Sequence, residues 1–168
     1  HTAYRRQRQM CIRDRSDSDH MLKIAKDAGV NTHKRSVEYC DEKTKSFGDV
    51  VAHIAESVEG DNILWATCTS PLVFPNLYQK SIKIFKQKVL KEKKYDSLVS
   101  VEPFQRYLWN NEGPVNYELG TKHLPSQELP VYYFITDGIL LAPREDMIKW
   151  KYFHGTNPYK MEIDKKSS

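Results

Sequence analysis

Apolar positions along this 168-residue chain fall into two rhythms that alternate, one of helical spacing and one of short continuous runs. Ser16 to Val30, SDSDHMLKIAKDAGV, reads as a helix with Ser18 or Asp19 at its N-cap and Gly29 at its C-cap. Met21, Leu22, Ile24 and Ala25 are its apolar positions. VNTHKR follows as a short strand or extended link, and SVEYCDEKTKS as a polar loop. In FGDVVAHIAESVEG, Val50, Val51, Ile54, Ala55 and Val58 repeat at helical spacing, and Gly60 stops the helix. His53 on that helix reads as a partly buried, satisfied histidine. Ile63 to Thr67 is then an apolar strand that breaks on Thr67-Cys68-Thr69-Ser70-Pro71. Pro75 suits the first turn of the next helix, whose face carries Leu77, Tyr78, Ile82, Phe85 and Val89.

The second half changes character. KQKVLKEKK reads as a solvated helix end, and YDSLVSVEPF as a strand ended by Pro103. QRYLWNNEGPVNYELG places Asn-Asn-Glu-Gly between aromatic stretches, a hairpin signal, and LPSQELP is a proline-bounded loop. VYYFITDGILLAP is a second strong buried strand, on which Tyr132 and Tyr133 alternate, one toward the core and the other toward a cleft. REDMIKWKYF is a short helix and PYKMEI a last strand. The order predicts an α/β three-layer domain with a mostly parallel sheet. In such a sheet, loop groups and helix N-termini converge outside the carboxyl ends of the strands, which makes the hydroxyl-rich loop after Thr67 the first candidate site.

Composition narrows this picture. The length suits one domain with a core. No run approaches the roughly 18–20 apolar residues of a membrane span. Three scattered cysteines and six dispersed histidines show no metal or redox spacing, so a reduced, cytoplasmic protein is expected, with Cys68 a small buried side chain. The net charge of +4 suggests nucleic acid until it is located. Residues 1–15 hold five arginines and one aspartate, and the remainder balances at 21 basic and 21 acidic residues. The body therefore offers no electrostatic reason to expect nucleic acid. Residues 1–15, HTAYRRQRQMCIRDR, carry five of the eight arginines of a lysine-preferring chain, with no apolar period and no secretory h-region. They resemble translated sequencing-adaptor read-through and are expected to pack against nothing. A disordered basic arm that binds anions is the functional alternative. The start on His1 reads as that of a fragment.

Three segments in order resemble the cytidylyltransferases that activate acylneuraminate and related acidic sugars as CMP-sugars. SDSDHMLKIAKDAGV is similar to the family's Ser/Thr-Asp and a helix ending in Ala-x-x-x-Gly-Val. TCTSPLV is similar to its Gln-Pro-Thr-Ser-Pro-Leu-Arg loop. SQELPVYYFITDGILLA is similar to Arg-Gln-x-Leu-Pro with a later Asn-Gly. The likeness covers residues 16–168, read as one partial cytidylyltransferase domain. It implies a Rossmann-like nucleotide-diphospho-sugar transferase fold, a transfer of CMP from CTP to an acidic sugar with release of pyrophosphate, and Mg²⁺. It also implies a homodimer, since the family often dimerises through an inserted hairpin-like segment, here RYLWNNEGPVNYEL. This chain departs from the pattern at Thr67, Cys68, Val73, Ser126 and Asp137, removing an arginine and an amide that would grip a sugar carboxylate or amide. The family's Gly-rich phosphate turn belongs before Ser16 and its Asp-x-Asp metal pair after Asp164, so this polypeptide by itself is expected to be inactive.

The candidate substrate-binding residues are Thr67, Thr69, Ser70, Gln127 and Asp137. The three hydroxyls either donate to sugar or nucleotide or only cap the following helix. Gln127 and Asp137 either meet sugar hydroxyls or, for Asp137, form a turn before Gly138. No catalytic residue and no metal ligand is assigned within the chain. Two other functions stay open: a nucleotidyltransferase of the deoxy-octulosonate type, and a non-catalytic sugar-binding module.

Overall fold

Residues 12–40 and 43–164 are described by a computed structural model, in two units that span residues 1–50 and 51–168. In the first unit, strand β1 (Arg13–Ser16) pairs in parallel with β2 (Asn31–Lys34), and helix α1 (Asp19–Asp27) connects them. The expected cap is present: the Ser18 hydroxyl accepts from the Met21 amide at 3.4 Å. Gly29, at φ +79°, lets the chain turn out of the helix toward β2. No α1 side chain is buried, and Met21 and Ile24 are more than half exposed. The expected polar loop contains a 3₁₀ turn, Val37–Tyr39, and Asp41 and Glu42 lie outside the described residues.

The pairing of β1 differs from the expectation that residues 1–15 pack against nothing. Arg13, Asp14 and Arg15 stand opposite Asn31, Thr32 and His33, and the Asn31 amide donates to the Ile12 carbonyl at 3.2 Å. Backbone hydrogen bonding is indifferent to side chain, so this stretch can form a ladder despite its composition. Residues 1–11 lie outside the described residues.

Helix α2 (Phe47–Glu56) leads into the second unit. Its sheet has the order β3-β7-β4-β8, with β3 at Asn62–Trp65, β4 at Ser97–Phe104, β7 at Tyr132–Pro143 and β8 at Pro158–Glu162. Three strands share one direction and β7 runs against them, antiparallel to β3 and to β4, while β4 and β8 are parallel. The mostly parallel sheet expected from the alternation is therefore a mixed one. The reason lies in the connection: β4 is followed by the small hairpin β5 (Trp109–Asn110) and β6 (Gly113–Pro114) with 3₁₀ turns, not by a crossover helix. A parallel neighbour requires a crossover, so the returning strand pairs antiparallel.

Strand β4, paired on both edges, is buried without interruption from Ser97 to Val101. On one face Leu98, Ile139, Leu141 and Met161 pack under helix α3 (Pro75–Phe85) with Phe85, Val73 and Val89. On the other, Ala142 packs with Ala55 of α2 and Met147 of α4 (Arg144–Trp150), and Val99 and Leu140 pack with Trp65 and Phe153. Each large side chain so buried contributes roughly 1.5–3 kcal/mol. Helices thus cover both faces, the layering that the element order implied. Helix α3 carries its proline in the first turn as expected, and ends in a π-helical segment, Lys86–Lys91, with the Glu92 amide donating to the Gln87 carbonyl. Lys151, in the left-handed region at φ 52°, ends α4.

Strand β7 is a buried strand only from Gly138 to Ala142. Tyr132, Tyr133, Phe134 and Ile135 are 39–54% exposed, so neither tyrosine is a core residue, in contrast to the alternation expected of them. Their ladder partners are at the far end of β4, Val101–Phe104. Among the described residues no helix is long and apolar enough to cross a membrane.

Candidate functional site

The loop after β3 and a break in β7 form one structure. Val99 stands opposite Leu140 and Val101 opposite Ile135, so Thr136, Asp137, Gly138 and Ile139 all face the single residue Ser100. Four residues against one form a large bulge, and such bulges leave backbone groups without ladder partners. Side-chain hydroxyls supply those partners from two sides.

From within the sheet, the fully buried Ser100 hydroxyl accepts from the Ile139 amide at 2.9 Å and lies 2.7 Å from the Thr136 hydroxyl. The Thr136 hydroxyl in turn donates to the Ser100 carbonyl at 3.3 Å. From the loop, the Ser70 hydroxyl donates to the Thr136 carbonyl at 3.2 Å, and the Thr67 hydroxyl to the Asp137 carbonyl at 3.0 Å. The Thr69 hydroxyl donates to the Thr67 oxygen at 3.2 Å. Asp137 sits in the left-handed region at φ 56°, a conformation that aspartate tolerates better than most residues. A Cβ on Gly138 would lie 2.7 Å from the Val73 methyl and 3.4 Å from the Ser70 Cβ, so glycine lets loop and strand approach this closely.

Of the five candidate residues, four meet here. Thr67 and Ser70 are half-buried and buried, Thr69 and Asp137 are exposed. None of the three hydroxyls caps α3: its N-cap is Phe74, with no side-chain cap. Gln127 stands apart on the 3₁₀ turn Ser126–Glu128, its carbonyl accepting from Gln105 Nε2 at 3.0 Å, and it shares no hydrogen bond with the other four. Cys68 is exposed and not the small buried side chain expected, because the loop turns its neighbours Thr67 and Ser70 inward to the bulge. Val73, at the position where the resemblance has arginine, is buried in the core under α3.

Sequence reading passed over Ser100 and Thr136. A signal existed for Ser100, a hydroxyl in the otherwise apolar run SLVSV, since a buried polar side chain needs a partner. Nothing in the sequence marked which backbone groups it would serve. Among the described residues, no group of three or more His, Cys, Asp or Glu side chains is placed to hold a metal ion. No protein-family model matches the chain, and no curated protein matches it.

Proposed function

We propose that the chain is part of a nucleotidyltransferase that moves CMP from CTP to an acidic sugar, an acylneuraminate or related nonulosonate, on a Rossmann-like sheet of the nucleotide-diphospho-sugar transferase kind. One observation carries the reading. Two of the three segments that resemble the acylneuraminate cytidylyltransferases, TCTSPLV and SQELPVYYFITDGILLA, meet where β3 ends, with the Thr67 hydroxyl on the carbonyl of Asp137, 70 residues away. The carboxyl end of a strand in an α/β sheet is where ligands bind.

In the reaction a sugar hydroxyl attacks the α-phosphorus of CTP and pyrophosphate leaves. Charge gathers on the phosphoryl oxygens, and the resemblance assigns its neutralisation to Mg²⁺ and cationic groups. The part played by Thr69 and Asp137 is to hold the sugar, with Thr67 and Ser70 fixing the loop that presents them.

The test pairs each of the four nucleoside triphosphates with a panel of acidic sugars and Mg²⁺, using the chain together with any sequence that flanks it in its gene. Pyrophosphate release from CTP with an acylneuraminate is the expected result. Release only with deoxy-octulosonate moves the reading to that branch. A CMP-sugar that binds while no pair yields pyrophosphate makes the domain a non-catalytic sugar-binding module, a reading favoured by the burial of Val73 where a substrate-gripping arginine is expected.

A further inference from the structure

We infer that the outward face of α3 and its π-helical extension is a docking surface for an anionic lipid bilayer, which the protein meets from the side. The inference stands apart from the sugar reading. Its basis is where the charges of the second unit lie. Residues 51–168 carry 15 basic and 14 acidic residues, almost in balance. Residues 80–94 alone hold seven lysines and one acid, Glu92, which leaves 8 basic and 13 acidic residues for the rest of the unit. A net charge near zero conceals a strong local one.

The helix sorts these lysines to its outer side. Ser81, Phe85 and Val89, each four residues from the next, are buried. Lys80, Lys83, Lys86, Lys91 and Lys93 are exposed, and none of them forms an ion pair among the described residues. Lys88 is neutralised by Glu92 at 3.0 Å, and Lys94 lies over the Tyr95 ring at 5.8 Å. Lysines at a helix C-terminus complement its dipole, but that effect fades within the last turn, and Lys80 and Lys83 lie further back. Bare like charges along roughly 15 Å of helix repel one another and gain by meeting negative charge. Two features select a bilayer among anionic partners. Leu90, 41% exposed, stands one turn on from Lys86, an apolar side chain amid ammonium groups. Phosphates of nucleic acid or carboxylates of a protein give it nothing, whereas a headgroup layer takes the leucine inward and keeps the lysine charges at its surface. The exposed positions from Lys80 to Lys94 also lack an arginine for bidentate phosphate contacts and an aromatic ring on which bases would stack.

The experiment is cosedimentation of the full chain with vesicles of phosphatidylcholine alone and of an equimolar mixture with phosphatidylglycerol. Pelleting is expected with the mixture and not with phosphatidylcholine, and is expected to be lost at about 0.5 M salt, where surface charges are screened within a few ångströms. Residues 1–15 also carry arginines, so the decisive comparison keeps them in place. In the full chain, Lys83→Glu with Lys86→Glu and Lys91→Glu is expected to weaken partition at least about a hundredfold, each lysine near an anionic surface being worth about fivefold. The three positions are exposed, and an unchanged urea midpoint reports that the variant folds. Leu90→Trp, with the lysines intact, is expected to move its emission to the blue with the mixed vesicles only, relative to the wild-type chain. Undiminished pelleting of the triple variant, or an unshifted emission of Leu90→Trp, would overturn the inference. Lysine-dependent binding to a DNA duplex or to polyglutamate that is tighter than binding to the mixed vesicles would overturn it as well.

Discussion

At the residue scale, the site is an account of unpaired backbone groups and the side chains that satisfy them. The buried Ser100 hydroxyl accepts from the Ile139 amide inside the bulge, where that amide faces no ladder carbonyl. Ser100→Ala should therefore strand a buried N–H and cost about 1–3 kcal/mol, read as a lower urea midpoint with an unchanged slope. Gly138→Ala acts from the opposite side. Its new methyl would press into Val73, which is itself packed under α3, and the expected loss is about 1–3 kcal/mol. If that variant matches the wild-type midpoint, the loop is not held as tightly to β7 as these distances imply. Thr69→Val touches only the exposed end of the hydroxyl chain, and should leave the midpoint within about 0.5 kcal/mol.

At the element scale, β1 shows what pairing can and cannot compensate. Its backbone ladder with β2 is sound, but all three guanidinium nitrogens of Arg15 are buried with no hydrogen-bond partner among the described residues. Burial, and the nearby charge of Arg35, lower the affinity of that guanidinium for its proton. An apolar side chain would occupy the same place without that penalty. Arg15→Leu should stabilise the first unit by about 1–2 kcal/mol, seen as slower hydrogen exchange at the β2 amides. Faster exchange in that variant would mean that the guanidinium has a favourable partner in solution. The residue belongs to the arginine-rich stretch whose composition set it apart from the body, and its poor fit in a strand accords with that difference.

At the scale of the whole molecule, the outer parts of β4 and β7 raise the question of assembly. Successive strand residues face opposite sides, so the four consecutive part-exposed apolar residues Tyr132 to Ile135 leave apolar surface on both faces of this ribbon, with Phe134 against Phe104 and Lys160 over the Tyr133 ring. Isolated two-stranded ribbons are marginal in water. The resemblance implies a homodimer through RYLWNNEGPVNYEL; self-association through this ribbon is a separate prediction, made from its exposed apolar side chains. Light scattering behind size exclusion should report twice the mass of one chain at tens of micromolar, and Phe134→Glu with Ile135→Lys should return it to one. A wild-type chain that stays at one mass across that range removes the proposal.

The sequence by itself determined most elements of this protein and little of their arrangement. Helical spacing, Ser18 before α1, Pro75 at the start of α3 and the Asn-Asn-Glu-Gly turn between β5 and β6 act through neighbours a few residues apart, so the local chain reports them. The hydroxyl cluster was legible as a candidate site for the same reason. Its use was not, since the carbonyls served by Thr67 and Ser70 lie 70 and 66 residues further on. The direction of β7, the exposure of Tyr132 and Tyr133, and the bulge opposite Ser100 likewise depend on which strand becomes the neighbour. Only the tertiary structure decided them, because register and strand order are fixed by contacts between segments remote in sequence, where no local pattern reaches.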